Sequence, residues 1–402
     1  MKRGYLSEYF EGVAVKRLSA VEAHPERSNQ HEFDGVQGLK EILGESKGKQ
    51  KFDAKFIYLS DSDAEPVVSD GFLTWYDARE KHPTRSEYRL YFPTTAVSQC
   101  AAEGDLLVIG KRPGGGMLVI VAERESTIER QIQWLFGFSD LAHPGFSVKS
   151  EIETDQSRLE FASRFILEML GIEIEDRDDT WLDTMLGRFG GTFPGTREFS
   201  RFARETLLHV AEQDDPDGTL LAWLEREEIL FRTLERYLLA ERLQKGFGGD
   251  VDGFLELSLS VQNRRKSRAG SALENHLEAI FIQQGIRYSR GQATESRSKP
   301  DFVFPGIDHY HDSGFPTRRL TMLGAKATCK DRWRQVLAEA DRIPEKHLLT
   351  LEPGISENQT AEMQSKRLHL VVPAGVHDSY TPKQRQWLLS VSDFIGLVRS
   401  RQ

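Results

Sequence analysis

The sequence predicts two domains, a β domain followed by an α/β domain, on three observations. At 402 residues the chain has room for two cores of about 100–200 residues each. Residues 1–150 hold short apolar runs divided by Gly, Asp and Pro, which is the spacing of short strands. From about residue 197 apolar residues recur every three or four positions, and after 264 such stretches alternate with short apolar runs, as they do when helices cover a mixed sheet.

In the first half the strand candidates are KFIYL, YRLYF (88–92), GDLLVIG (104–110) and GGMLVIVAE (115–123), with RPGGG at 112–116 as a hairpin turn. A small barrel or sandwich is expected. ESTIERQIQWLFG (125–137) has apolar residues at 128, 132, 134 and 135 and predicts a helix. GIEIEDRDDTW (171–181) is acidic and poor in apolar residues, so it is expected to link a domain spanning 1–170 to one spanning 182–402.

In the second half REFSRFARETLLHVAEQ and GTLLAWLEREEILFRTLERYLLAERLQKGFGG predict helices, the second stopped by glycines 246, 248 and 249. SALENHLEAIFIQQG is an amphipathic helix through Leu273, Leu277, Ile280 and Phe281. PDFVFP and RLTMLGAKAT predict strands, DRWRQVLAEADRI a helix with Asp331 as N-cap, and HLLTL and LHLVVP further strands.

Composition excludes several classes. No run approaches the roughly 20 apolar residues of a membrane helix, and MKRGYLSEYFEG is charged too early for a signal peptide. Cys100 and Cys329 are the only cysteines, too few for a disulfide framework or a zinc module, so a soluble, cytoplasmic protein is expected. The net charge of −9 argues against nucleic acid until it is divided along the chain. Residues 151–260 carry 12 basic and 25 acidic side chains, whereas 261–346 carry 16 and 10, a net +6. Such asymmetry points to a localised polyanion site.

Pro300-Asp301 opens one predicted strand and Lys326 lies 25 residues later in another. Adjacent strands can set an acid beside a lysine. The carboxylate then suits a hard cation such as Mg²⁺, and the ammonium suits the charge on a scissile phosphate. This pattern is similar to that of the PD-(D/E)xK nucleases, except that Gly324 stands where their second acid sits. Glu339, beside the apolar stripe of Trp333, Val336, Leu337 and Ala340 on the following helix, is the expected replacement. Glu274 is a fourth candidate. Each residue has a plainer reading: Pro-Asp is commonly a turn, and a helical Glu is commonly just solvated.

Arg264, Arg265, Lys266 and Arg268 are expected in a loop entering the helix of Glu274, where they would meet phosphates. Lys330, Asp331, Arg332 and Arg334 open the helix of Glu339 and could reach base edges. Solvated faces are the alternative for both clusters. HYHD (309–312) is expected as a loop rather than a metal site, and KGFGG (245–249) as a helix cap rather than a phosphate loop.

SVQNRRKSRAGSALENHLEAIF, SKPDFVFP, YHDSGFP and KATCKDRWRQVLAEAD together resemble the catalytic half of EcoRII-type restriction endonucleases, over about 240–376. The resemblance implies a Mg²⁺-dependent nuclease of restriction-endonuclease fold whose second carboxylate has migrated to the position of Glu339. Asp301 and Glu339 would then be metal ligands, Lys326 the catalytic lysine, Glu274 a further active-site acid, and Lys330, Asp331 and Arg332 the base-reading group. It also implies a homodimer through the C-terminal domain, and a DNA methyltransferase that shares the site without needing to bind.

AVKRLSA (14–20), SNQHEF (28–33) and TWYDARE to PTRSEYRLYFP (74–93) are similar more loosely to that family's effector domain, a B3-like barrel. In such a barrel Arg17, Asn29, His31, Trp75, Tyr76, Arg79, Arg85, Glu87 and Arg89 would be available to double-stranded DNA. Trp75 reads equally well as core. The leading expectation is a type II restriction endonuclease whose N-terminal domain binds a further DNA copy and regulates cleavage. Its rivals are a non-catalytic DNA-binding regulator, which Gly324 suggests, and a repair or structure-specific nuclease.

Overall fold

The computed structural model describes residues 6–402 except 25–30, 35, 46, 63–65, 83, 139–140, 142–144, 150–160, 173–177, 208–213, 296–297 and 330–331. It resolves into two compact units, Met1–Glu173 with Pro353–Glu357, and Ile174–Glu352 with Asn358–Gln402. No helix among the described residues is long and apolar enough to cross a membrane.

The first unit is built on an eight-stranded sheet of β1 (Gly12–Arg17), β2 (Glu32–Phe33), β3 (Gln50–Leu59), β4 (Val67–Asp77), β5 (Tyr88–Tyr91), β6 (Leu106–Lys111), β7 (Met117–Ala122) and β8 (Ser147–Lys149). Their order is β2-β5-β4-β3-β7-β6-β1-β8, antiparallel throughout except for β3 beside β7. The RPGGG hairpin forms as expected, with Lys111 opposite Met117. Alternate residues of most strands, among them Ala14, Phe52, Phe56, Leu73, Trp75, Leu90, Ile109 and Val119, meet in one cluster, so the sheet curls around a single core. Helix α1 (Thr127–Phe136) starts on Ser126, which accepts from Glu129 N at 3.1 Å, and stops at Gly137, whose left-handed φ of 65° suits glycine.

In the second unit α2 (Thr196–Glu205), α3 (Pro216–Lys245) and α4 (Val251–Gln283) pack together. Asp215 and Asp250 cap the two long helices through Gly218 N at 2.8 Å and Gly253 N at 2.9 Å, and Gly246, with φ 65°, ends α3 where the glycines predict. The second sheet orders β9 (Ser289–Arg290), β10 (Phe302–Phe304), β11 (Thr321–Lys326), β12 (Lys346–Thr350) and β13 (Leu368–Val371) as β13-β12-β11-β10-β9. Its β11, β12 and β13 run parallel, and β10 is antiparallel to β11, giving the expected mixed sheet. Phe281 of α4 meets Phe302 and Phe304 edge-on at 5.2 and 5.3 Å, which seats the helix carrying Glu274 against β10.

Four local expectations change. The 264–268 cluster lies inside the continuous helix α4 rather than in a loop, because no Gly or Pro interrupts 254–269. HYHD falls largely within a short helix, α5 (Ile307–His311). The helix after β11, α6 (Trp333–Leu337), is only five residues long. Glu339 therefore stands beyond its end, where i to i−3 bonds replace the helical ladder and Ala340 takes φ +50°. Within 171–181, residues 173–177 lie outside the described set, while Asp179–Trp181 form a 3-10 turn and Asp178 pairs with Arg226 at 2.6 Å.

His347 on β12 is buried between His369, at 5.4 Å, and Phe394, at 5.3 Å. Burial pushes its pKa down to about 3. The unfolded chain therefore takes up the proton first, at about pH 6.5, and stability falls as pH drops from there toward 3, by up to roughly 1.4 kcal/mol per unit. Urea titrations between pH 7 and pH 4 are expected to show a shallower acid loss in His347→Phe than in the parent chain; equal slopes would contradict this assignment.

Candidate active site

Antiparallel pairing of β10 with β11 sets Phe302 opposite Leu323 and leaves Asp301 at the strand entry facing the end of β11. Asp301 Oδ2 accepts from Ala325 N at 2.7 Å and from Lys326 Nζ at 2.8 Å. The backbone bond fixes the carboxylate and the ammonium bond fixes the lysine, and both side chains keep some exposure, 15% and 23%. The two residues read from spacing are brought together as an ion pair.

Glu339 reaches the same place from beyond α6. Its Oε2 is buried with no hydrogen-bond partner. Burial first, and then the Asp301 charge, push its pKa up to about 7, against the pull of Lys326 and Lys346. Glu274 is raised too, by burial and then by Asp301. It is held by Arg290, at 2.9 Å, while the same guanidinium takes Glu278 at 2.6 Å. Arg290 is the site residue that sequence reasoning missed; its one signal is a cation on the short run before Asp301, which is too slight to single it out.

Among the described residues no three His, Cys, Asp or Glu side chains form a closed ligand set. The donors nonetheless fit a hard divalent cation. Asp301 and Glu339 offer carboxylate oxygens, one of them buried and unsatisfied, and Mg²⁺ commonly takes only one or two carboxylates, completing its shell with water and phosphate oxygens.

Gly324 explains why the second acid cannot sit at its usual place. A Cβ there would lie 2.9 Å from Val336 Cγ2 and 3.3 Å from its Cγ1, with Leu348 Cδ1 at 3.6 Å. Val336 belongs to α6, the element that leads to Glu339. The side chain that crowds position 324 thus belongs to the helix that immediately precedes Glu339.

The basic clusters divide. Arg268 is buried between Glu227, at 3.4 Å, and Glu228, Arg265 pairs with Glu235 at 2.7 Å, and Arg264 lies over the Phe193 ring at 4.0 Å. Arg265 and Arg268 turn toward the carboxylates that α3 presents to α4, and Arg264 toward a ring that precedes α2; of the four, Lys266 alone is exposed. Arg332 and Arg334 are exposed at the start of α6, Arg334 within 3.2 Å of Glu362. Lys330 and Asp331 lie outside the described residues, as does Asn29.

In the first unit Trp75 is fully buried, stacked on Tyr88 at 4.8 Å with Nε1 donating to Gly44 O at 3.0 Å, so it is core and not a DNA contact. Arg17 is drawn to Gly104 O and Glu129, and His31 packs on Tyr91 and Phe92. Tyr76, Arg79, Glu87 and Arg89 share one network: Arg89 spans Glu32 and Glu87, both at 2.7 Å, Arg79 meets Glu87, and Tyr76 donates to Glu32. Arg85 is exposed beside it, and Lys49 lies over the Tyr76 ring at 4.9 Å.

The segment that carries this site is similar to restriction endonucleases. More narrowly, residues 231–395 match the family model described as EcoRII C terminal. Over 205 residues the chain is 45% identical to the type II restriction enzyme EcoRII of Escherichia coli, covering 51% of this chain and 50% of that enzyme. Over 150 residues it is 28% identical to the type II restriction enzyme SsoII of Shigella sonnei, covering 35% and 48%. The chain thus spans about half the length of the curated relatives it matches. Among solved structures, metal-depleted Ecl18kI with uncleaved, modified DNA aligns at 20% identity and a TM-score of 0.45 over 56% of this chain and 85% of that one. A PspGI–substrate DNA complex aligns at 18% identity and a TM-score of 0.44, over 52% and 93%. The resemblance to EcoRII-type enzymes expected from the motifs holds for this region.

Gly324→Ala is expected to lower the stability of the chain by roughly 1–3 kcal/mol through overpacking against Val336, read as a shift in the urea midpoint; an unchanged midpoint would mean that α6 yields freely.

Proposed function

We propose that the protein is a type II restriction endonuclease, a cytoplasmic enzyme that hydrolyses double-stranded DNA at a short, palindromic site with Mg²⁺ as cofactor. The observation that carries this is the Asp301–Lys326 pair facing the unsatisfied carboxylate of Glu339, within the segment that matches the EcoRII C-terminal family. Asp301 and Glu339 would hold the cation, and Glu274 would join them as a further acid once Arg290 releases it. Bound there, Mg²⁺ supplies polarisation of the phosphate and offsets its charge. The Lys326 ammonium orients the attacking water and stabilises charge on the phosphate. Water adds at phosphorus as the bond to the 3′ oxygen breaks, leaving a 5′-phosphate and a 3′-hydroxyl.

Arg332 and Arg334, with Lys330 and Asp331, are assigned to base edges, and Lys266 to phosphate. The exposed Arg85, next to the paired network of Tyr76, Arg79, Glu87 and Arg89, supports binding of a further DNA copy by a B3-like first unit that regulates cleavage. Two such chains would act as a dimer, and the exposed apolar residues Tyr237, Leu243, Val251, Phe254, Leu255 and Leu259 on α3 and α4 support a partner there.

Purified protein with Mg²⁺ is expected to cut unmethylated plasmid at one short sequence, to stop with EDTA, and to lose at least a hundredfold in rate on Lys326→Ala. Protein that binds DNA equally well with EDTA and never nicks it would be a non-catalytic regulator instead, and cleavage of junctions without a fixed sequence would indicate a repair nuclease. A chain beginning at Leu182 is expected to cut single-site DNA faster than the whole chain; equal rates would remove autoinhibition.

A further inference from the structure

Glu339 can serve the site only if its main chain is held where the helical ladder has already ended. The two residues there, Glu339 and Ala340, have carbonyls that α6 does not satisfy; Ala340 has a φ of +50°, which L-residues seldom adopt, and its carbonyl takes one backbone bond, from Ile343 N at 2.8 Å. Both carbonyls accept from one group. Lys346 Nζ donates to Ala340 O at 2.6 Å and to Glu339 O. Lys346 opens β12, where its own N–H is tied to Arg367 O at 3.0 Å, and the residue is 6% exposed. A lysine so deeply buried needs partners. Here they are two carbonyls and the nearby charges of Asp341, Glu295 and Glu339.

We infer that Lys346 is a positioning residue for the metal-binding carboxylate: its ammonium clamps the 339–340 turn and so aims Glu339 at Asp301 and Lys326. The inference rests on the reading of Glu339 as a ligand. The clamp ties the site to the parallel strand beside Lys326, since Lys326 pairs with Thr350 of the same β12. The migrated acid is therefore held from the sheet at both ends, by Val336 packed over Gly324 and by Lys346 beneath the turn.

The test is Mn²⁺ binding followed by electron paramagnetic resonance on the full-length chain, together with the Mg²⁺ dependence of plasmid cleavage. Lys346→Met is expected to weaken Mn²⁺ binding about 10–100-fold, as loss of a group that orients a ligand does. It should also raise the Mg²⁺ concentration for half-maximal cleavage, with much of the rate returning at saturating Mg²⁺. In a Glu339→Gln background the same substitution is expected to change Mn²⁺ binding less than twofold, because the ligand it positions is gone. Should Lys346→Met fail to fold, Lys346→Gln, which keeps an N–H donor, is expected to give an intermediate loss. Unchanged Mn²⁺ binding in a folded Lys346 variant overturns the inference, as does an equal loss in both backgrounds, which would mark a merely structural lysine. If the parent chain itself binds no Mn²⁺ and cuts no DNA, the metal-site reading fails and this inference falls with it.

Discussion

The antiparallel pairing of β10 with β11 is the constraint on which the site depends. It delivers Asp301 to the position where one carboxylate oxygen takes both a backbone N–H of β11 and the ammonium of Lys326. A one-residue slip in this register would turn Lys326 to the opposite face of the sheet and leave the acid without either donor. The apolar faces of Phe302 and Phe304 against Phe281 resist such a slip, so burial of aromatic rings on α4 and the placement of charge at the strand end are one structural fact.

Around that pair the second unit trades one geometry for another. Close packing of Val336 over Gly324 leaves no volume for an acid on β11. A carboxylate comes instead from beyond α6, so that two acids, Glu274 and Glu339, each raised first by burial and then by the charge of Asp301, lie near the ion pair. Buried carboxylates crowded near one another are costly unless a cation answers them; Arg290 answers Glu274, and the buried oxygen of Glu339 has no hydrogen-bond partner.

Much of this was legible in the sequence. Short apolar runs bounded by Gly, Asp and Pro gave β3, β5, β6 and β7, three- and four-residue spacing gave α3 and α4, and Asp301 and Lys326 stood out because acids and lysines rarely fall in apolar strands. What could not be read had local causes. The early end of α6 is followed by a turn whose carbonyls meet Lys346, a tertiary contact that propensity does not register. Trp75 was ambiguous by composition, although its two-residue offset from Leu73 puts it on the buried face of β4 and Tyr76 on the other. Strand β4 holds Ser69, Asp70 and Gly71 within its span, which read as a turn, and the three-residue β8 is shorter than any periodicity can resolve.

The charge division along the chain takes on a different meaning once α3 and α4 are side by side. Part of the acidic excess of one segment is spent on the basic excess of the next: Glu227, with no exposure, lies 3.0 Å from His276 and 3.4 Å from Arg268, and Glu235 answers Arg265. Breaking such a buried pair from one side costs about 3–5 kcal/mol, whereas replacing all members by apolar groups can be neutral. These positions are therefore coupled in energy: truncating one member alone strands a buried charge, whereas replacing the cluster together does not.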